Sequence, residues 1–227
     1  GVVLDLMSDP YLFAGQCRIM NERTSRPDYL NLTRFQRWFL WGIHTNRWLT
    51  ADKYRQAYTT TVALTWLLRD CMYFEGMNGV LIACDTDTAK KAFQRLIYMY
   101  EQLPDEVRIP RKVGYRGSDH EIKFCHGGGI VIVTAGSKAP AIGQGVDRMV
   151  ITEWGFAPWQ SRAATHIFPT IYKRPHGRLV LESTPGQDGS HHQHMTFKAF
   201  RSLEENGGWS YAADPGAGED DGLLVAP

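Results

Sequence analysis

The sequence predicts an α/β fold: a mainly parallel sheet with helices on both faces, plus an antiparallel hairpin. Strand-like and helix-like segments alternate along the chain, the pattern of an open parallel sheet. Val80-Leu-Ile-Ala-Cys84 is a continuous apolar run, as expected of a strand buried on both faces. His126-Gly-Gly-Gly129 separates Glu121-Ile-Lys-Phe-Cys125 from Ile130-Val-Ile-Val133 and reads as a hairpin turn.

The elements follow in order. Asp9-Pro-Tyr-Leu-Phe-Ala14 and the segment from Tyr29 to Leu40 suggest helices packed on one flank of the sheet. Aromatic residues at that density usually mean core, so Gln36 by itself is first a helix residue and only second a functional one. Asn46-Arg-Trp-Leu-Thr-Ala51 is a short strand feeding a loop. Thr59 to Phe74 reads as a helix, with Val62, Ala63, Trp66, Leu67 and Met72 at helical spacing, and Gly76 to Gly79 breaks it. Asp85-Thr-Asp-Thr88 supplies capping residues for a helix through Ala92, Phe93, Leu96 and Ile97. Two apolar strands follow, Met149 to Ile151 and Arg178 to Leu181. The division expected is a helical flank over 1–45, a core over 46–210, and an acidic tail or start of a linker over 211–227.

Composition narrows the class without naming a function. The 227 residues are 43% hydrophobic and 22% charged, ordinary for a globular protein with a sizeable core. No apolar run approaches the roughly 20 residues of a membrane span, and the first residues lack the pattern of a signal peptide. Cys17, Cys71, Cys84 and Cys125 are widely spaced with no CxxC pair, which suits a reducing, cytosolic compartment. A net charge of +1 gives no reason to infer a nucleic-acid binder from overall charge. Its distribution is uneven, because Arg18, Arg23, Arg26, Arg34, Arg37, Arg47, Lys53 and Arg55 face only Glu22, Asp28 and Asp52 in that stretch. A solvated basic face and a phosphate-facing one are equally compatible with it.

Three segments carry candidate chemistry. Lys53-Tyr-Arg-Gln-Ala-Tyr-Thr-Thr60 joins a strand to a helix, where free amides and the helix dipole favour an anion. On the standard phosphate-loop template Lys53 and Tyr58 occupy the two glycine positions, Thr59 the lysine position and Thr60 that of the metal-binding hydroxyl. By pattern alone a plain strand-to-helix turn is the better description. Met149-Val-Ile-Thr-Glu153 puts a carboxylate at a buried strand's end, where a base can polarise water beside a γ-phosphate, with Thr152 where an aspartate usually orders the Mg²⁺ shell. Glu182-Ser-Thr-Pro-Gly186 closes a strand at the sheet's carboxyl edge, where open α/β sheets hold ligands; a capped turn is its plain alternative. His191, His192 and His194 lack matched ligands and read as an exposed loop, and Asp214, Asp220 and Asp221 as a solvated tail rather than a two-metal site.

Taken in order, these segments resemble the ATPase domain of the large terminase subunit of tailed bacteriophages, from about Asp9 to about Trp209. Tyr11-Leu-Phe-Ala14, Leu30-Asn-Leu-Thr-Arg-Phe-Gln36, the Lys53 loop, Ile122 to Thr134, Gly145 to Glu153 and Glu182-Ser-Thr-Pro185 match its motifs in sequence. Two positions depart from the pattern: Tyr58 stands where that family has glycine, and Gln144 where relatives often have arginine.

The resemblance implies a P-loop NTPase-like core using ATP and Mg²⁺. It implies that Lys53, Gln56, Thr59 and Thr60 bind nucleotide, with Thr60 on Mg²⁺ and Thr152 reaching the metal through water. Gln36 lies near the adenine, Arg55 senses or stabilises the γ-phosphate, Glu153 orients the attacking water, and Ser183 and Thr184 couple hydrolysis to movement. Implied partners are double-stranded DNA, a portal protein and a small terminase subunit, with a homo-oligomeric ring on assembly and a monomer in isolation. The implied location is the host cytoplasm, docked on a procapsid. Nuclease activity is not expected of this chain. A helicase-like DNA-dependent ATPase, and a nucleotide-binding scaffold with a decayed loop, are the alternatives.

Overall fold

The computed structural model describes residues 1–21, 24–54, 56–113, 120–134, 145–154, 167–184, 209–213 and 222–225. Helices α1 (Val2–Ser8) and α2 (Pro10–Gln16) open the chain. Asp9 starts α2 because its carboxylate accepts the amides of Tyr11 at 2.7 Å and Leu12 at 3.2 Å, with Pro10 preset at the first helical position. Strands β1 (Arg18–Asn21) and β2 (Arg26–Tyr29) then form a separate antiparallel ladder. Tyr29, expected in a helix, ends β2 instead, and α3 (Arg34–Thr45) begins only after Thr33. A capping box sets that start: the Thr33 hydroxyl accepts the Gln36 amide at 3.3 Å, and the Gln36 side chain accepts the Thr33 amide at 3.0 Å.

The remaining elements are β3 (Trp48–Asp52), α4 (Thr59–Tyr73), β4 (Asn78–Ala83), α5 (Thr86–Glu101), β5 (Glu121–Lys123) and β6 (Gly129–Thr134). They continue with β7 (Arg148–Ile151), α6 (Phe168–Tyr172), β8 (Arg178–Ser183), β9 (Trp209–Ala213) and β10 (Gly222–Val225). The main sheet has eight strands in the order β10-β9-β3-β8-β7-β4-β6-β5. All neighbours between β9 and β6 are parallel, and the edge pairs β10–β9 and β5–β6 are antiparallel. The expected class, a mainly parallel α/β sheet with an added hairpin, is therefore the observed one.

Burial on both faces follows from the period-two geometry of strands. Val80, Ile82, Met149, Ile151, Leu179 and Leu181 pack into one apolar cluster with Trp48, Trp154 and α6. Leu81, Ala83, Val150 and Val180 point the other way, into a larger cluster with α1 to α5. Helix α4 runs through that cluster and is buried at every position except Thr60. It packs against α1, α2, α3 and α5 and is pinned by charge as well. Asp70 accepts Arg69 Nη1 at 2.6 Å and Arg148 Nε at 2.5 Å on its two oxygens, while Arg69 Nε donates to the Leu6 carbonyl at 3.2 Å. Residues of α1, α2 and α3 thus share a core with one face of the sheet.

The His126–Gly129 turn works as its composition suggests. Gly127 has φ +92°, and a Cβ at Gly128 would lie 2.6 Å from the Cys71 carbonyl oxygen. Two expectations are corrected. Strand β4 stops at Ala83, so Cys84 is exposed rather than a buried strand residue, and its thiol sits 3.0 Å from the Asp85 carboxylate that caps α5. The expected tail over 211–227 holds part of β9 and all of β10, both joined to the sheet. Trp209-Ser-Tyr-Ala-Ala and Gly222-Leu-Leu-Val are rich enough in aromatic and apolar residues to extend the sheet beyond β3, β9 in parallel and β10 antiparallel, although charge and glycine lie between them. No helix among the described residues is long and apolar enough to cross a membrane.

Candidate active site

Strands β3, β8 and β7 are adjacent and parallel, so their carboxyl ends present side chains at one edge. Lys53 follows β3, Thr184 follows β8, and Thr152 and Glu153 follow β7. The Lys53 amide donates to the Ser183 carbonyl at 2.9 Å, and the Thr152 amide to the Ile82 carbonyl at 3.0 Å, which extends both ladders to the edge.

Three candidate residues meet there directly. Lys53 Nζ donates to Glu153 Oε1 at 2.6 Å and to the Thr184 hydroxyl at 3.3 Å. The Thr184 amide donates to Glu153 Oε2 at 3.2 Å, and its hydroxyl to Oε1 at 3.4 Å. Glu153 reaches this position with φ 51°, a left-handed backbone that non-glycine residues rarely adopt and that turns the chain sharply off the strand. Lys53 is 8% exposed. The Glu153 side chain is 28% exposed, so the lysine end of the pair is sheltered and the carboxylate end is partly open to the solvent that weakens surface ion pairs.

The loop after Lys53 is also left-handed at two points, Gln56 at φ 64° and Tyr58 at φ 55°. Tyr58 is the residue before α4 and gives the helix no side-chain cap, so the first-turn amides have no capping side chain from it. Its side chain is 40% exposed. The glycine position of the family pattern thus keeps a glycine-like backbone despite its Cβ.

The hydroxyls of Thr59 and Thr60 share one acceptor. Thr59 donates to Glu182 Oε2, and Thr60 donates to Glu182 Oε1 at 2.5 Å. Glu182 is completely buried, which raises its carboxyl above the usual range; Lys53 and the two hydroxyls work in the opposite direction. Sequence reasoning does not single out Glu182 as a site residue, because the apolar run ends at Leu181. The signal is nevertheless present: a carboxylate continuing Leu179-Val180-Leu181, a run buried on both faces, has to be buried too.

The other candidates are placed as follows. The Gln36 amide nitrogen donates to the Ala57 carbonyl at 3.0 Å while its oxygen serves the capping box, so the side chain ties the loop to α3. Gln56 is exposed and, with Gln36, Tyr54, Tyr58, Thr61 and Tyr98, lines a cavity of about 680 Å³ beside the loop. Ser183 is buried, and its hydroxyl donates to the Thr184 carbonyl at 3.3 Å. Thr152 is buried with its hydroxyl 3.5 Å from the Ile82 carbonyl, directed back to β4. Arg55, Gln144, His191, His192, His194, Asp214, Asp220 and Asp221 lie outside the described residues. Several arginines of the basic stretch are engaged locally: Arg18 over the Tyr29 ring, Arg34 over Trp38, Arg37 on the Leu32 carbonyl, and Arg47 on the Arg174 and Gly177 carbonyls.

No family model matches the chain. No curated protein matches it. Solved structures do. The large terminase of bacteriophage HK97 superposes with TM-score 0.67 at 14% identity, over 93% of this chain and 45% of that one. The large terminase of a thermophilic bacteriophage, in complex with ADP, gives TM-score 0.57 at 13% identity, over 79% of this chain and 45% of that one. The UvsW helicase of bacteriophage T4 gives TM-score 0.54 at 11% identity, over 83% of this chain and 64% of that one. This chain thus spans under half the length of the two terminases. Its α/β architecture is the fold seen in phage large terminases, and one that the T4 helicase shares.

Proposed function

We propose that this chain is an ATP-hydrolysing motor domain of the large terminase type, which drives double-stranded DNA into a procapsid. The observation that carries the reading is the meeting of Lys53, Glu153 and Thr184 at the ends of three adjacent parallel strands, beside the start of α4. A phosphate-binding cation, a water-orienting carboxylate and a hydroxyl at a strand end are the parts such a motor needs. The fold shared with two large terminases, one of them bound to ADP, supports the same reading.

In this mechanism Lys53 and the open amides of α4 hold the β- and γ-phosphates, and Thr60 is a ligand for Mg²⁺. The donor set fits the ion, since Mg²⁺ takes oxygen ligands and few of them from the protein. Bound Mg²⁺ supplies charge neutralisation at the phosphate oxygens. An arriving γ-phosphate competes with Glu153 for Lys53; the carboxylate released from the pair orients water for attack. Thr184, bonded to both partners, senses the exchange, and Ser183, whose carbonyl holds the Lys53 amide, passes it to β3. Gln36 and Gln56 border the cavity that suits the adenine side, and Arg55 stabilises the γ-phosphate. A portal protein, a small terminase subunit and further copies in a ring complete the assembly, so the isolated chain is a slow ATPase.

The test pairs fluorescent ATP-analogue binding with phosphate release. Lys53→Ala weakens nucleotide affinity, and Glu153→Ala abolishes turnover while sparing binding. Unchanged affinity in the first, or unchanged turnover in the second, removes that residue from its role. The helicase-like alternative draws on the T4 helicase neighbour, and ATP-dependent strand separation by this chain would favour it. Nucleotide binding with no hydrolysis, even with DNA and partner proteins present, would favour a scaffold.

A further inference from the structure

The strand that ends in Glu153 lacks a second carboxylate, because Thr152 occupies its place and directs its hydroxyl to the Ile82 carbonyl. The adjacent strand supplies one. Ile151 pairs with Leu181, so Thr152 and Glu182 come next at the same level on neighbouring strands. Glu182 also pairs with Ala51 of β3, the strand that feeds the loop. Moving a carboxylate from β7 to β8 therefore brings it one strand closer to the start of α4, where its two oxygens take the hydroxyl protons of Thr59 and Thr60.

We propose that Glu182 performs the task that the end of β7 lacks: it orients the Thr60 hydroxyl as a Mg²⁺ ligand and supplies negative charge to the metal shell of the nucleotide complex. This rests on the phosphate-loop reading above. A hydroxyl has one proton and two lone pairs. Once the Thr60 proton is committed to Glu182, only acceptor capacity is left, which is what a hard cation takes. The charge count points the same way. Glu153 and Glu182 are two carboxylates near the single ammonium of Lys53, which bonds Glu153 and Thr184. Those three side chains carry a net charge of −1 when ionised (+1 − 2), at a site fit to receive a cation with its phosphates. Outer partners of this kind typically set metal affinity by about 10- to 100-fold.

The experiment is a titration of the full chain with a fluorescent ADP analogue, in EDTA and across Mg²⁺ concentrations, for the wild type, Glu182→Gln and Glu182→Asp. Mg²⁺ should tighten binding to the wild type. In Glu182→Gln that tightening should fall by about tenfold or more, while metal-free affinity holds or rises because a negative charge has left the phosphate site. Glu182→Asp keeps the charge but withdraws it by one methylene; it should raise the Mg²⁺ midpoint, and it decides the matter if the glutamine variant does not fold. Tightening that is undiminished in the folded variants, or affinity lost equally with and without metal, overturns the role of Glu182, while wild-type binding still upholds the phosphate-loop reading. Wild-type binding that ignores Mg²⁺ overturns it as well. No nucleotide binding by the wild type at all defeats the phosphate-loop reading itself, and this proposal with it.

Discussion

Tyr58 is a large side chain on a backbone that suits glycine. A left-handed residue with a Cβ costs on the order of 1–2 kcal/mol, and glycine returns part of that gain as unfolded-state entropy, roughly 0.5–1 kcal/mol. Tyr58→Gly should therefore leave stability unchanged or raise it by up to about 1.5 kcal/mol in urea unfolding. A loss of stability would mean the exposed ring contributes more than the backbone costs. Asp85 gives the pH counterpart. The Thr88 amide, at 2.8 Å, with the Cys84 thiol and the Thr88 hydroxyl, holds its carboxyl down to about 2. A depressed carboxylate stabilises the fold above its unfolded pKa of about 4, and that contribution is lost as pH falls from there through about 2. Asp85→Ala should cost roughly 1 kcal/mol at pH 7, typical of a lost helix cap. The gap between variant and wild-type urea midpoints should narrow between about pH 4 and about pH 2. A gap that is constant across that window would show that the carboxylate charge is not what caps α5.

Among elements, α4 joins packing to the site. Its first turn carries Thr59 and Thr60, and its last carries the Arg69–Asp70–Arg148 cluster that joins it to β7 and α1. Removing one partner of a buried charge cluster leaves the others uncompensated, typically at about 3–5 kcal/mol. Asp70→Asn should lower stability by about that much, measured by chemical denaturation. A loss under about 1 kcal/mol would place the cluster with surface ion pairs, where exposure cancels most of the gain. Element types are mostly legible from pattern: apolar runs for β4 and β7, helical spacing for α4, glycines for the β5–β6 turn. The β1–β2 hairpin is not, because Arg26-Pro-Asp-Tyr29 is exposed along its length and offers no alternation to read. The end of β8 is hidden for the opposite reason: a charged residue reads as the end of a strand unless a partner for it is known.

At the scale of the whole molecule, the candidate site draws on three strands and one helix of a single sheet, so a ligand there should stabilise the fold as a unit. At 100 times its Kd, a ligand bound only by the folded state adds about 2.7 kcal/mol. For a chain of this size that corresponds to a Tm rise of roughly 5–10 °C with Mg²⁺ and ADP. Lys53→Ala should show a smaller rise at the same ligand concentration. No shift in either protein, with both folded, would argue against a nucleotide site at this edge.

The sequence by itself determined the α/β class, the order of the motifs and which segments end at the carboxyl edge of the sheet. Hydrophobic periodicity and turn composition are local properties, and local properties survive in a string of residues. Only the tertiary structure decided that β3, β8 and β7 lie side by side, that Lys53 is held by Glu153 and Thr184, and that Glu182 takes the hydroxyls of Thr59 and Thr60. Those pairings join residues roughly 100 positions or more apart, with |i−j| of 100, 131, 123 and 122. They depend on strand order in a parallel sheet, which crossover connections set and which no window of sequence contains.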